Sequence, residues 1–439
     1  MLTGLEGVAE KARKETKLVF TSLAHHLTKD LIMASLKHIP LSSAMGIDGV
    51  DVETARKTFD QWIGKMETAI HRKSYKAPAV RRVWIPKPGK TEKRPIGIPC
   101  IADRALQRSM TMVLNAIYEE DFLNCSFGGR PGRGQHNALI TMDKIITRKR
   151  VNWVFEADLK NFFGSLDHGW LLRFVEHRVG DPRILSLIRK WLKAGVMEDG
   201  AYEESVNGTP QGGAISVLLS NVYLHYVLDL WFEKAIKPRL KGECYLIRYI
   251  DDFIVCFENK RDAERFIEVL EKRLAKFALA LEPSKTRLIE FGRNAGQNAK
   301  ENNKKPDTVY FLGFTHYCTT SRKGYFQVGR KTEKSRLRRS LSNLYNKMRE
   351  LRHLKVHEQV VKINQMLRGH YNYYGIGGNF RSLAKIYDIT RAYWRKMLSS
   401  RSWKGKVSWE LLGKIIIKYP ILCPYIKVPY TEFNKYVML

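Results

Sequence analysis

Acidic residues are scarce in this chain. Against 76 Lys and Arg there are 44 Asp and Glu over 439 residues, a formal charge of +32 and a pI near 9.9. No fold requires such an imbalance, whereas a polyanionic partner rewards it, which points to nucleic acid. Cysteine is sparse as well, six residues at 100, 125, 244, 256, 318 and 423, with no C-x-x-C pair. That spacing argues against a zinc site or dithiol exchange and leaves free thiols, mostly buried. Long apolar runs are missing: none approaches the roughly 18 to 20 residues of a spanning helix, and no lipidation signal is present. The basic membrane-surface protein is thereby the weaker reading, and no membrane partner is expected. The start, 1–17, mixes acids with bases and lacks the apolar stretch of a secretory signal, so a cytoplasmic protein is expected. Internal repeats and long low-complexity stretches are absent too.

With 44% hydrophobic and 11% aromatic residues, the chain can bury a large core divided into two or three lobes. The first forty residues place Leu18, Phe20, Leu23, Leu27, Leu31 and Ile32 at helical spacing and close on Pro40, leading into a small, flexible loop at 42–49. From Val80 to Cys100 the chain turns to short β-type runs, VRRVWIP and RPIGIP, and strands then alternate with helices to about Phe326. Helical periodicity covers 103–120, 171–193 and 262–279; VNWVFEADL, YLIRYI and FIVCF read as strands. The segment 293–305 reads as a polar, mobile loop. From 321 to 420 there are 24 Lys and Arg against 5 Asp and Glu, marking a separate basic, helical lobe. Its aromatics Tyr345, Tyr371, Tyr373, Tyr374, Tyr393 and Trp394 can stack on bases or pack between helices, and packing is favoured for most.

Two strand-like runs end on acids. VFEA leads into Asp158, and YLIRYI leads into Asp251 and Asp252 at the tip of a hairpin, so three carboxylates can meet where neighbouring strands end. Such clusters repel unless cations occupy them, and hard oxygen ligands suit Mg²⁺, with Mn²⁺ accepting the same donors. Two ions about 3.5 to 4 Å apart activate a hydroxyl and stabilise a leaving pyrophosphate. A Y-x-D-D string alone is weak, because Asp pairs are common in surface turns.

Its neighbours change the reading. In order along the chain stand GIDGV (46–50), RRVWIPKPGKTEKRPIGIP (81–99), SFGGRPGRG (126–134), DLKNFFGSLDH (158–168), GTPQGGAIS (208–216), YIDD (249–252), EPSKT (282–286) and FLGF (311–314). This succession resembles the blocks of group II intron-type reverse transcriptases, and LRGHYNYYG (367–375) is similar to the maturase, or X, segment that forms the thumb there. The resemblance covers about 40–400 and implies an α+β right-hand polymerase with a helical N-terminal extension. The expected division is 1–75 for that extension, 76–325 for fingers and palm, 326–400 for the thumb and 401–439 for a short basic tail.

Roles follow block by block. The resemblance implies that Asp158 and Asp251 ligate two metal ions, that Asp252 supports them, and that the Leu159 carbonyl completes one coordination sphere. Lys87 and Arg94 would hold the incoming triphosphate as finger cations. Gln211, within the glycine-rich turn 208–213, would approach the nucleotide; Phe163 would block a ribose 2′-hydroxyl; Lys285 would lie near template and active site; Tyr249 and Ile250 would meet the primer terminus. Taken singly, Phe162 and Phe163 read as core, Lys87 and Arg94 as a solvated face, and 208–213 as a tight turn; the shared order favours the functional roles. For Asn221, Tyr223, Arg130 and Arg133, core packing and template contact are equally compatible.

Three features depart from the resembled family. Ile250 stands where Ala is usual, Val217 replaces a usual Pro, and Gly129 replaces a usual Phe. The chain stops at Leu439 with no C-x-x-C or His-rich nuclease segment, so the DNA-cleaving appendage of many mobile introns is expected to be absent. The implied substrates are dNTPs and a primer annealed to an RNA or DNA template. The catalytic-box Ile and the missing nuclease resemble the free-standing bacterial branch, some members of which join DNA ends through microhomology; an intron-encoded maturase is the alternative role.

Overall fold

The computed structural model describes residues 3–86, 93–198, 201–203, 208, 213–321, 323–402 and 405–435. Two compact units contain them: 1–134, 157–255 and 260–287 form the first, and 135–156, 256–259 and 288–439 the second.

In the first unit, the run VRRVWIP becomes strand β1 (Val80–Pro86), paired antiparallel with β2 (Lys93–Ile98) from Arg81 opposite Ile98 to Pro86 opposite Lys93. The sheet continues through the short strands β4 (Val196–Glu198) and β5 (Ala201–Glu203) in the order β2-β1-β4-β5. β2 lies at an edge of the sheet, the kind of strand in which Pro95, lacking an N–H, is tolerated. The helix Ile101–Asp121 buries Ala105, Leu106, Met110, Val113, Leu114 and Ile117, and the helices Thr3–Lys14 and Lys29–Lys37 pack on it. Arg13 forks onto the Glu120 carboxylate at 2.8 and 2.9 Å. The 42–49 loop accepts hydrogen bonds from Arg81 at the Met45 carbonyl (2.8 Å) and from Arg104 at the Ala44 carbonyl (3.0 Å).

The periodicity across 171–193 does not make a single helix. One ends at Glu176 (His168–Glu176) and another begins at Pro182 (Pro182–Leu192). Pro182 cannot continue a helix but suits its first turn, and Asp181 caps the second by accepting the Arg183 amide at 2.9 Å. The same carboxylate accepts the Leu23 and Ala24 amides (2.7 and 2.9 Å), so the cap also fastens the N-terminal segment. The apolar stretch from Ala214 is longer than its sequence implies. It runs as one 26-residue helix to Arg239, with a composition that a membrane span could have, yet it is mostly buried as a core helix. π-turns at His225–Asp229 and Phe232–Ile236 widen it locally.

The strands β3 (Trp153–Asp158), β6 (Cys244–Tyr249), β7 (Asp252–Phe257) and β8 (Arg287–Glu290) form a sheet in the order β6-β7-β3-β8. Its central runs are nearly all buried, as expected of strands covered on both faces.

In the second unit, β9 (Thr308–Phe311), β10 (Phe314–Thr320) and β11 (Phe326–Thr332) form an antiparallel meander, with Phe314 opposite Thr332 and Thr320 opposite Phe326. The helices Lys334–Leu351, Val356–Tyr374, Phe380–Ser399 and Trp409–Lys418 share a core of Leu344, Ile363, Leu367, Leu383, Trp394 and Leu412. The aromatics divide as packing elements: Tyr371 and Trp394 are fully buried, the Trp394 indole donates to Gln359 Oε1 at 2.9 Å, and Tyr345 lies 4.1 Å from Tyr393. Buried Arg330 pairs with Asp143 beneath the Phe433 ring. The segment 293–305, expected as a mobile loop, carries the helix Ala295–Glu301, and Arg293 ties its start to the Thr147 carbonyl at 2.7 Å.

Candidate active site

Asp158 ends β3, and Ile250 and Asp251 form the turn between β6 and β7, whose first residue is Asp252. Burial raises the pKa of Asp251 above the usual carboxylate range, and the Asp158 charge raises it further, while Arg94 and Lys285 pull it back. These four groups therefore share one electrostatic neighbourhood. Lys285 sets its ammonium against Asp158 Oδ2. The Asp158 carbonyl accepts the Glu282 amide (2.8 Å) and the Lys160 amide donates to Ala280 (2.9 Å); the Leu159 carbonyl takes part in neither bond.

The donor set suits a hard divalent cation: the Asp251 carboxyl, whose ionisation the Asp158 charge disfavours, the Asp158 carboxylate itself, and the Leu159 carbonyl next to Asp158 in the chain. Among the described residues, no three Asp, Glu, His or Cys side chains converge as a ready-made cage. Lys285 supplies the positive charge at Asp158 instead.

Arg94 is exposed on β2, opposite Ile85. Phe163 is half-buried, with its ring 5.4 Å from that of fully buried Phe162. The glycine-rich turn begins against it: a Cβ on Gly208, where φ is +84°, would lie 2.7 Å from the Phe163 carbonyl oxygen. Lys87 and Gln211 lie outside the described residues. Of the residues left open by the sequence, Asn221 and Tyr223 are fully buried, with Asn221 Nδ2 donating to the Gly128 carbonyl (2.8 Å) and the Tyr223 hydroxyl to the Phe277 carbonyl (2.8 Å). Arg130 is buried against Glu119 and the Leu123 and Ser126 carbonyls; Arg133 caps the Asn124 side chain at 3.0 Å. Asn221, Tyr223 and Arg130 pack in the interior, and Arg133 is half-buried.

The three departures meet in one place. Ser126 bridges to Arg248 alongside β6, which brings Gly128 and Gly129 beside the Ile250–Asp251 turn. A Cβ on Gly128 would stand 2.6 Å from Ile250 Cγ1 and 2.7 Å from its amide nitrogen; one on Gly129, where φ is +70°, would stand 2.2 Å from Val217 Cγ1. Ile250 has φ +60°. A left-handed conformation costs a β-branched residue about 1–2 kcal/mol, so something must hold it.

What holds it was not singled out in the sequence. Arg248 is fully buried, and its guanidinium uses all five N–H donors: two to Asp229 (2.8 and 2.6 Å), one to Asn221 Oδ1 (2.9 Å), one to Ser126 Oγ (2.9 Å) and one to the Ile250 carbonyl (3.0 Å). Burial works to lower its pKa, and the Asp229 carboxylate outweighs that, leaving the guanidinium firmly charged. A signal existed: Arg248 is the one charge inside YLIRYI, and Asp229 the one acid inside the apolar helix 214–231.

Comparison with known proteins agrees with this geometry. The profile of the family described as "Reverse transcriptase (RNA-dependent DNA polymerase)" matches residues 85–316. The "Group II intron-encoded protein LtrA" of Lactococcus lactis subsp. cremoris is 29% identical over 302 residues, 66% of this chain and 50% of the relative. "Protein YkfC" of Escherichia coli (strain K12) is 34% identical over 225 residues, 50% of this chain and 59% of the relative. "Nuclear intron maturase 3, mitochondrial" of Arabidopsis thaliana is 26% identical over 204 residues, covering 40% and 28%. The chain thus spans about half the length of the intron-encoded protein that it matches. With strand-borne carboxylates at a shared edge and the family profile spanning more than half the chain, this protein belongs to the reverse transcriptase family, in its group II intron type, and with that to the right-hand polymerases.

Proposed function

We propose that the chain is a cytoplasmic RNA-directed DNA polymerase that extends a primer annealed to RNA or DNA, and that it serves host repair of double-strand breaks by joining ends through microhomology. The observation that carries the polymerase reading is the placing of Asp158 at the end of β3 and of Asp251 in the β6–β7 turn beside it, close enough for the Asp158 charge to raise the pKa of the Asp251 carboxyl. Asp158, Asp251 and the Leu159 carbonyl would hold Mg²⁺, with Asp252 beside them; bound there, the ions would polarise the primer hydroxyl and neutralise charge on the leaving group. In the reaction the primer 3′ oxygen bonds to the α-phosphorus as the bond to pyrophosphate breaks. Arg94 and Lys285, whose charges already reach Asp251, offer the triphosphate cationic partners, and Lys87 and Gln211 are assigned alongside them by their motifs. Phe163, packed under the start of the glycine-rich turn, would fill the space of a 2′-hydroxyl. Tyr249 and Ile250 would meet the primer end.

The repair role is supported by Ile250. Its side chain stands at the turn where a short, weakly paired terminus would need an added apolar contact. The second reading, an intron-encoded maturase, is favoured by the names of the relatives, which include a group II intron-encoded protein and an intron maturase.

Asp251→Ala tests the polymerase reading. It should abolish primer extension while duplex affinity stays near wild type. Equal loss of both would assign Asp251 to the fold. For the role, Ile250→Ala should keep extension on a continuous primed template and reduce joining through short complementary ends; equal change in the two activities would favour the maturase.

A further inference from the structure

Resting on the polymerase reading, we propose that Arg248 is a positioning residue for the metal site: by hydrogen-bonding the Ile250 carbonyl it holds the turn in its left-handed form and so sets the direction in which Asp251 presents its carboxylate. Three observations meet here. Ile250, with φ +60°, is a residue type that avoids this conformation. The Arg248 guanidinium reaches its carbonyl at 3.0 Å and is itself immobilised by Asp229, Asn221 and Ser126, so the donor is a fixed point. Gly128 provides the opposite wall, close enough that no Cβ fits between it and the Ile250 backbone.

The π-turn supplies the anchor. Asp229 ends the widened segment His225–Asp229 on the same helix as Asn221, and both side chains reach one guanidinium. The glycine loop belongs to the same assembly, because Asn221 donates from Nδ2 to Gly128 while accepting from Arg248. One buried cation thus ties the helix, the glycine loop and the catalytic turn together. An Ala at position 250 would need the same hand but less strongly, since it lacks the β-branch. A Gly would not need it, because φ near +60° is open to glycine at no steric cost.

That difference makes the test. Mn²⁺ binding to the full chain, followed by electron paramagnetic resonance without nucleic acid or nucleotide, reads Asp251 directly. Arg248→Lys keeps a charge for Asp229 but cannot reach all five acceptors. It should weaken Mn²⁺ binding about tenfold, the equivalent of about 1.4 kcal/mol. Adding Ile250→Gly to it should restore affinity to within about twofold of the Ile250→Gly chain with Arg248 intact, because glycine adopts the turn unaided. A role confined to core stability would lower the melting temperature equally with and without Ile250→Gly and leave Mn²⁺ affinity of the folded fraction unchanged. Either that result or equal weakening in both backgrounds overturns the proposal. If Arg248→Lys does not fold, Asp229→Asn, which keeps the side-chain shape, is carried through the same pair of backgrounds. Primer extension by the wild type is measured in parallel: restoration of Mn²⁺ binding without any extension would sink the polymerase reading and leave the positioning intact, whereas extension without the restoration pattern would sink the positioning alone.

Discussion

At the scale of single residues, the placement of Asp158 and Asp251 was legible, because one closes an apolar strand run and the other follows the next in a hairpin turn. Arg248 was not, because a positive charge in a strongly basic chain is assumed to face solvent, and only its zero exposure shows otherwise. Ile250 was legible as a departure in bulk, but its left-handed backbone was not, since isoleucine predicts the opposite region of φ. Phe163 tests the pocket at this scale. Phe163→Val should raise ribonucleotide incorporation relative to dNTP incorporation by roughly tenfold, the effect of about 1.4 kcal/mol of lost steric exclusion. Competition between rNTP and dNTP on one template measures it, and an unchanged ratio would remove Phe163 from the sugar contact.

Among elements, periodicity located the long helices well and their interruptions poorly. The break between Glu176 and Pro182 needs the cap at Asp181 to be recognised, and that residue also accepts two amides from a segment some 158 residues earlier. No local pattern carries such a contact. The glycine loop behaves the same way: Gly129 and Val217 each look tolerable as single departures, and only their proximity shows that they accommodate one another. Gly129→Ala should therefore destabilise the fold by about 2–4 kcal/mol, combining left-handed strain with overpacking on Val217. Val217→Ala should recover the packing share and leave the strain. Urea unfolding of the two single variants and the double one resolves this, since neighbouring sites give a coupling energy that distant ones do not; simple additivity would contradict the contact.

For the whole molecule, charge and buried histidines set the conditions under which it works. With a formal charge of +32, affinity for nucleic acid should fall with a log-log salt slope of about −0.9 per neutralised phosphate on duplex. A flat titration from about 50 to 200 mM salt would place the excess charge away from the substrate. Burial depresses His316 to about 3 and His225 and His370 to about 4, all from 6.5. Between those values and 6.5 the unfolded chain binds protons that the native one does not. Stability is therefore complete above about pH 6.5 and is lost on acidification through this window, at up to about 1.4 kcal/mol per pH unit for each histidine. Denaturant midpoints from pH 7 to 4 should fall accordingly, and a midpoint constant over that range would mean that the three rings are accessible to protons in the native state.

The guanidinium at 248 also dictates when activity can first emerge during folding. Its side-chain partners stand 19, 27 and 122 residues earlier along the chain, so the full shelter needs Ser126 to be brought back across more than a hundred residues. Until the three segments have docked, burying the cation is prohibitively unfavourable and β6 must remain open. The Ile250–Asp251 turn should thus mature late, together with the long-range contacts, and chains that have not yet docked these segments should lack its left-handed form.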